Sequence, residues 1–184
     1  MFEQAPIGKA IAKIGGNDVE VGWVQLWKDG PRFATYNIGV TNGDDTNSGG
    51  RYLWIQNVVT TNWGSNWRMP TKDEMEELYK ATCNDESIRA SAKVTCEYTS
   101  YLGKYGFLFK GVGDYKDYFI FIPPTSSSSS SAGFMDIWTS TEKQGSNPKL
   151  IYYLHISYSS NGWQSDWLSN GSGSEFYIRP VLNQ

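Results

Sequence analysis

Trp67-Arg68-Met69-Pro70-Thr71-Lys72-Asp73-Glu74-Met75-Glu76-Glu77-Leu78-Tyr79 encodes a tight entry, a helix start and an amphipathic helix in one run. Pro70 fixes its own φ and disfavours helix in the residue before it, so the helix begins after it. Thr71 is a strong N-cap, and Glu74 three residues on completes a capping box. Asp73, Glu74, Glu76 and Glu77 crowd the first turns, where the helix dipole favours negative charge. Met75, Leu78 and Tyr79 recur at i, i+3, i+4 as one apolar stripe, the face that meets a core. The run identifies a scaffold and leaves the ligand unnamed.

Strand-like patterning surrounds this helix. Residues 19–27 are rich in β-branched and aromatic side chains and end at the turn Lys28-Asp29-Gly30-Pro31, with 33–39 as a hairpin partner. Residues 41–50 form a loop dense in Asn, Asp, Gly and Ser. A second short helix is expected at 85–93, capped by Asn84 or Asp85. Apolar runs at 106–111 and 118–124 flank the turn 113–117, and 126–131 is an unbroken serine tract expected to be a mobile loop. Residues 136–141, 150–158 and 176–182 are the last strands. Short strands around one or two helices predict an α+β domain rather than βαβ repeats.

At 184 residues the chain fits one domain, long enough to bury a real core. A net charge of −3 argues against a nucleic-acid partner that needs a basic face. No apolar run approaches the length of a spanning helix, so no membrane insertion is expected, and no signal peptide is visible at Met1 to Pro6. Eight Trp and twelve Tyr in so lightly charged a chain require rings to be buried, displayed, or both. Cys83 and Cys96 leave a disulfide and two free thiols both open; they form no CxxC, and His155 alone could join them as an imidazole ligand, so no structural zinc is expected.

The candidate recognition segment is 150–175. Strict alternation puts Tyr152, Leu154, Ile156 and Tyr158 on one face, toward the core, and Tyr153, His155 and Ser157 on the other. The outer set continues into a long loop containing Ser159, Asn161, Trp163, Gln164, Asp166, Trp167, Ser169, Asn170 and Ser172. Aromatic rings among small polar residues are the inventory of antibody paratopes, and aromatic faces also stack on sugars. The competing reading is that Trp163 and Trp167 pin this loop to the body of the domain.

Four segments, in order, resemble a known family: Trp67-Arg68-Met69-Pro70-Thr71 with its acidic helix; Phe109-Lys110-Gly111 with Ile120-Phe121-Ile122-Pro123; Ile137-Trp138-Thr139-Ser140-Thr141; and Ile178-Arg179-Pro180-Val181. Together they resemble the Fibrobacter succinogenes major paralogous domain, which is similar to the C-type lectin-like fold of the formylglycine-generating-enzyme superfamily and to the variable proteins of diversity-generating retroelements. The resemblance covers about residues 18–182, the core of a single domain 1–184, and implies two short helices, a mixed, mainly antiparallel sheet and long C-terminal loops. It also implies an extracellular, cell-surface or virion setting and a protein or glycan ligand on another cell or surface. The chain departs from that pattern in a longer insert at 84–95 and in the serine tract.

Catalytic chemistry finds little support. The calcium-dependent sugar site of C-type lectins resembles Glu-Pro-Asn or Gln-Pro-Asp, whereas here Asn147-Pro148-Lys149 puts a cation where an oxygen ligand belongs. Asn42, Asp44, Asp45 and Asn47 could hold a cation only weakly. A formylglycine-generating oxidase needs a late cysteine pair, and Cys83 and Cys96 come early. The expectation is a non-enzymatic binding module without metal or cofactor. The alternatives are an adhesin or structural subunit of a bacterial surface appendage and a degenerate enzyme of that superfamily.

Overall fold

The capped helix is built as its sequence dictates. Helix α2 spans Lys72–Ala81; Thr71 Oγ1 accepts from the Glu74 N–H at 3.2 Å and the Glu74 carboxylate accepts from the Thr71 N–H at 2.8 Å. Arg68 grips the same carboxylate with both terminal nitrogens, at 2.7 and 2.6 Å. Burial opposes ionisation of Glu74, but the Arg68 fork and the Thr71 N–H outweigh it and hold the carboxyl below its usual range. Met75 and Leu78 are fully buried, and Tyr79 packs against the same core.

The computed structural model describes residues 6–44, 46–125 and 129–183. Before α2 come β1 Gly8–Ile14, β2 Asn17–Gln25, β3 Arg32–Ala34, β4 Tyr52–Leu53, helix α1 Val58–Trp63 and β5 Trp67–Arg68. After it come helix α3 Glu86–Ala90, β6 Val94–Tyr101, β7 Lys104–Gly111, a 3₁₀ turn Gly113–Tyr115 and β8 Phe119–Ile122. The chain continues with β9 Gly133–Glu142, β10 Ile151–Ser159, β11 Gly162–Asn170, β12 Glu175–Phe176 and β13 Val181–Leu182. Among the described residues the strand pairings are antiparallel apart from one parallel bridge, Ile137 to Tyr177, so the architecture is α+β with mostly antiparallel sheets.

The sheets run β1-β2-β3-β13-β5, β11-β10-β9, β6-β7-β8 and β12-β4. The chain's last strand therefore returns between β3 and β5, with Val181 opposite both Phe33 and Arg68. Under α2, one apolar cluster unites Met75 and Leu78 with Phe107, Phe109, Leu154 and Ile156. A second gathers Trp63, Trp67, Trp138, Ile151 and Ile178, with the Trp63 and Trp67 rings edge-to-face at 5.4 Å. Arg179 is fully buried and donates to the Ala34 carbonyl at 3.0 Å and the Phe121 carbonyl at 2.7 Å, tying the C-terminal segment to β3 and β8.

Four expectations are corrected. The described residues hold three α-helices rather than two, α1 at Val58–Trp63 being the addition; it is held by burial of Val58, Val59 and Trp63 with no side-chain cap at Asn57. The strand at 33–39 stops at Ala34: the Ile38 N–H bonds the Ile178 carbonyl at 3.2 Å, and Tyr36 turns its ring onto Trp63 at 5.6 Å. The strand at 176–182 is split in two, because Arg179 turns its side chain into the core and Pro180 has no N–H to give a ladder. The long loop after Tyr158 is a β-strand, described below. The second helix forms inside the expected 85–93 but only over Glu86–Ala90, with Asp85 as its cap: Oδ1 accepts from the Ser87 N–H at 2.8 Å. Of the serine tract, residues 126–128 lie outside the described residues. Ser129 bridges Ala132, and both carbonyls lie within hydrogen-bonding distance of the Tyr98 hydroxyl.

Candidate recognition face

The segment 150–175 folds as a nine-by-nine-residue hairpin, β10 to β11, closed by the two-residue turn Ser160-Asn161. Gly162 takes φ 94°, a conformation L side chains rarely adopt, and the Asn161 N–H bonds Ser159 Oγ at 3.2 Å. Ladder pairing thus satisfies the backbone that a loop would have left to water. β10 lies between β11 and β9, which fixes the neighbours of each side chain. His155 is flanked by Asp166 and Asp136, Ser157 by Gln164 and Phe134, and Tyr153 by Leu168 and Trp138.

This register sorts the expected site residues onto two faces. The inner face carries Tyr152, Leu154, Ile156 and Tyr158 from β10, as expected, and Trp163, Ser165, Trp167 and Ser169 from β11. Leu154 and Ile156 are fully buried. Trp167 donates from Nε1 to the Glu76 carboxylate at 3.0 Å, lies 5.9 Å from the Tyr79 ring and has Lys72 Nζ 5.3 Å from its centroid. Ser165 Oγ donates to the Tyr79 carbonyl at 3.2 Å. Trp163 packs on Tyr158 at 5.0 Å and Phe107 at 6.2 Å, and Tyr158 stacks on Tyr98 at 5.1 Å. Both tryptophans are half-buried fasteners of the hairpin to α2 and to the β6-β7 sheet.

The outer face holds Tyr153, His155 and Ser157 with Gln164, Asp166 and Asn170 of β11. It also holds three residues that the sequence reading did not include: Phe134, Asp136 and Leu168. Phe134 and Leu168 keep 36% and 41% of their surface exposed, two apolar side chains on either side of β10. Alternation was the available signal for Phe134 and Asp136, since Met135 and Ile137 between them are fully buried. Toward its base the face closes over: Phe176 covers Tyr153 at 4.4 Å and Trp138 at 4.6 Å. Ser159 and Asn161 flank the turn. Ser172 lies beyond β11 and lines a small pocket of about 270 Å³ with Trp54, Ile151 and Lys149.

No family model, curated protein or solved structure matches this chain.

The electrostatics of the face centre on His155. Its Nδ1 lies 2.8 Å from Asp136 Oδ1, with the two side chains 25% and 13% exposed. The hydrogen bond to Asp136 raises the imidazole's pKa above its ordinary value; burial works against this, and the charges of Asp136 and then Asp166 add to it. The Tyr153 phenol is pushed up by burial first and by Asp136 second.

Other candidate groups are engaged elsewhere. Asp44 Oδ1 accepts from the Thr46 N–H and hydroxyl at 2.9 and 2.6 Å, Asn42 Oδ1 from the Asp44 N–H at 3.2 Å and Asn47 Oδ1 from the Gly49 N–H at 2.9 Å. Those oxygens hold turns; Asp45 lies outside the described residues. Among the described residues no group of three His, Cys, Asp or Glu side chains is placed to hold a metal ion. Cys83 and Cys96 are free thiols; burial pushes the Cys96 thiol well up, away from the thiolate form that reacts. No described helix is long and apolar enough to cross a membrane.

Proposed function

We propose that the chain is a non-enzymatic binding module of C-type lectin-like fold that presents the outer face of the β9-β10-β11 sheet to a protein or glycan ligand. The carrying observation is the division of labour across the hairpin. Its inner face is fastened to α2 through Trp167 and Ser165. Its outer face sets exposed Phe134 and Leu168 beside Asp136, His155, Ser157, Gln164 and Asp166. A rigid strand pair with mixed apolar and adaptable polar groups suits recognition, because little order must be imposed on binding. The lectin-like reading is supported by the order of the four sequence segments and by the α+β content. A variable protein of a diversity-generating retroelement fits the same reading and is tested in the neighbouring DNA. That test looks for a reverse transcriptase gene and a near-copy of the 3′ coding segment differing mainly at adenines.

Screening the chain against immobilised oligosaccharides, peptides and whole cells is the direct assay. Leu168→Arg and Gln164→Lys are expected to abolish the binding found while leaving the unfolding midpoint unchanged. Retention of binding in both variants would refute the assignment of this face.

A structural subunit of a surface appendage is the second reading, favoured by the position of β11. It is the edge of its sheet, nine residues long, with none of the Lys or Pro that blunt exposed edges. Concentration-dependent self-association in analytical ultracentrifugation would support it, and a monomer at all concentrations would dismiss it.

A further inference from the structure

His155 is the chain's single histidine, and on the recognition face proposed above it is in register with two aspartates, Asp136 on β9 and Asp166 on β11. Its Nδ1 is 2.8 Å from Asp136 Oδ1. An ionised carboxylate only accepts hydrogen bonds, so Nδ1 carries a proton in both charge states of the ring. The tautomer is therefore fixed, and all the change falls on Nε2. In the neutral ring Nε2 is a bare lone pair and accepts; in the imidazolium it is an N–H and donates. The ring's quarter exposure makes it available to a ligand.

We infer that His155 is the specificity-determining residue of the outer face, taking a hydrogen-bond donor of the ligand when neutral and an acceptor when protonated, with Asp136 as the positioning residue that makes the reversal complete. The inference rests on the face assignment and adds the chemistry of the ligand group that meets it. An ammonium is favoured by the neutral ring, where Asp136 and Asp166 add attraction. A carboxylate is favoured only by the imidazolium, and a hydroxyl serves either form because it both donates and accepts.

The groups around the ring are these. β9 contributes the Asp136 carboxylate and the Phe134 ring, whose centroid is 6.1 Å from the imidazole; β11 contributes the Asp166 carboxylate and the neutral Gln164. β10 itself supplies the Tyr153 phenol and Ser157 on the same face. No Lys or Arg stands at these outward positions. Burial of the ring opposes protonation, and the Asp136 hydrogen bond outweighs it, so the reversal is moved up from the ordinary histidine value.

The test uses the full chain labelled with ¹⁵N, in which one histidine gives one unambiguous titration. Expected are an Nδ1–H tautomer at high pH and a midpoint above the ordinary 6.5. Asp136→Asn should lower the midpoint and release the tautomer, and Asp166→Asn should lower it less. An Nε2–H tautomer in the unmodified chain, which needs no variant to fold, would overturn the inference. An unmoved midpoint in Asp136→Asn would do the same.

A second arm probes immobilised oligosaccharides and short peptides of either charge at roughly 1.5 pH units below and above the midpoint measured in the first arm. Bound probes that Leu168→Arg releases are on this face. Among them, amine-bearing probes should bind better at the higher pH and carboxylate probes at the lower, and His155→Gln should erase the difference. Face-bound probes without pH dependence would overturn this inference alone. Bound probes indifferent to Leu168→Arg would overturn the face assignment and leave the tautomer result standing.

Discussion

Trp167 decides whether the aromatic residues of the hairpin hold the fold or meet the ligand. Its Nε1–H bonds the Glu76 carboxylate at 3.0 Å, its ring lies 5.9 Å from that of Tyr79, and Lys72 Nζ is 5.3 Å from its centroid. A tryptophan buries roughly 150–250 Å² when fully enclosed, so this half-buried ring removes about 100 Å² from water. At about 25 cal/mol per Å² that surface contributes about 2.5 kcal/mol. The bond to a carboxylate adds about 1 kcal/mol, the low end because Glu76 can turn to water when its partner goes. Trp167→Ala is therefore expected to cost about 3.5 kcal/mol, a fall in Tm of about 10 °C for a domain of this size. Trp167→Phe keeps most of the area and loses the bond, at about 1 kcal/mol. Urea unfolding followed by tryptophan fluorescence and far-UV circular dichroism measures both. If Trp167→Ala left the midpoint within about 0.5 kcal/mol of the parent while abolishing ligand binding, the ring would be a contact residue and the two-face description would be wrong.

Arg179→Met should cost about 3 kcal/mol in the same unfolding assay, because the Ala34 and Phe121 carbonyls lose a charged donor inside the core. Glu74→Gln should cost about 1 kcal/mol at neutral pH, a discounted figure because Arg68 is about one-third exposed. Since the Glu74 carboxyl titrates lower folded than unfolded, its contribution is present above the unfolded pKa and disappears as pH falls through the folded one. The gap between parent and variant should close in acid, and a constant gap would remove the ion pair as its cause. His155 has the opposite sign: its contribution is present at low pH and lost as pH rises through the raised folded value, so the stability difference between parent and His155→Gln should shrink in alkali.

The helix was legible because all its signals agree. Pro70, the Thr71–Glu74 box, the acidic first turn and the Met75-Leu78-Tyr79 stripe point to one structure, and α2 begins at Lys72 with that box formed. The short helix at Glu86–Ala90 followed from its Asp85 cap. Less legible were elements whose partners are distant. The two-residue strand β13 owes its place to Phe33 and Arg68 on either side, and no local pattern in Val181-Leu182 announces a central strand. α1 has no side-chain cap at Asn57 and no acidic first turn; its Val58, Val59 and Trp63 are held by burial, which the sequence shows only once the packing partners are known.

The hairpin was hidden for a more specific reason. A Trp-x-x-x-Trp spacing suits a helix, but four is also an even number, so the period of a strand puts Trp163 and Trp167 on one face just as well. Composition could not separate these options, because neither face of β11 is uniform. The inner face reads Trp, Ser, Trp, Ser and the outer face Gln, Asp, Leu, Asn. An inner face with serine at every second place works here because Ser165 is spent on the Tyr79 carbonyl, a partner from a helix some eighty residues earlier. The residues that looked most like a paratope by their chemistry are thus the ones the fold itself uses. The face proposed for a ligand is built from smaller groups, Gln164, Asp166 and Ser157 around His155, and β9 places Phe134 and Asp136 beside them.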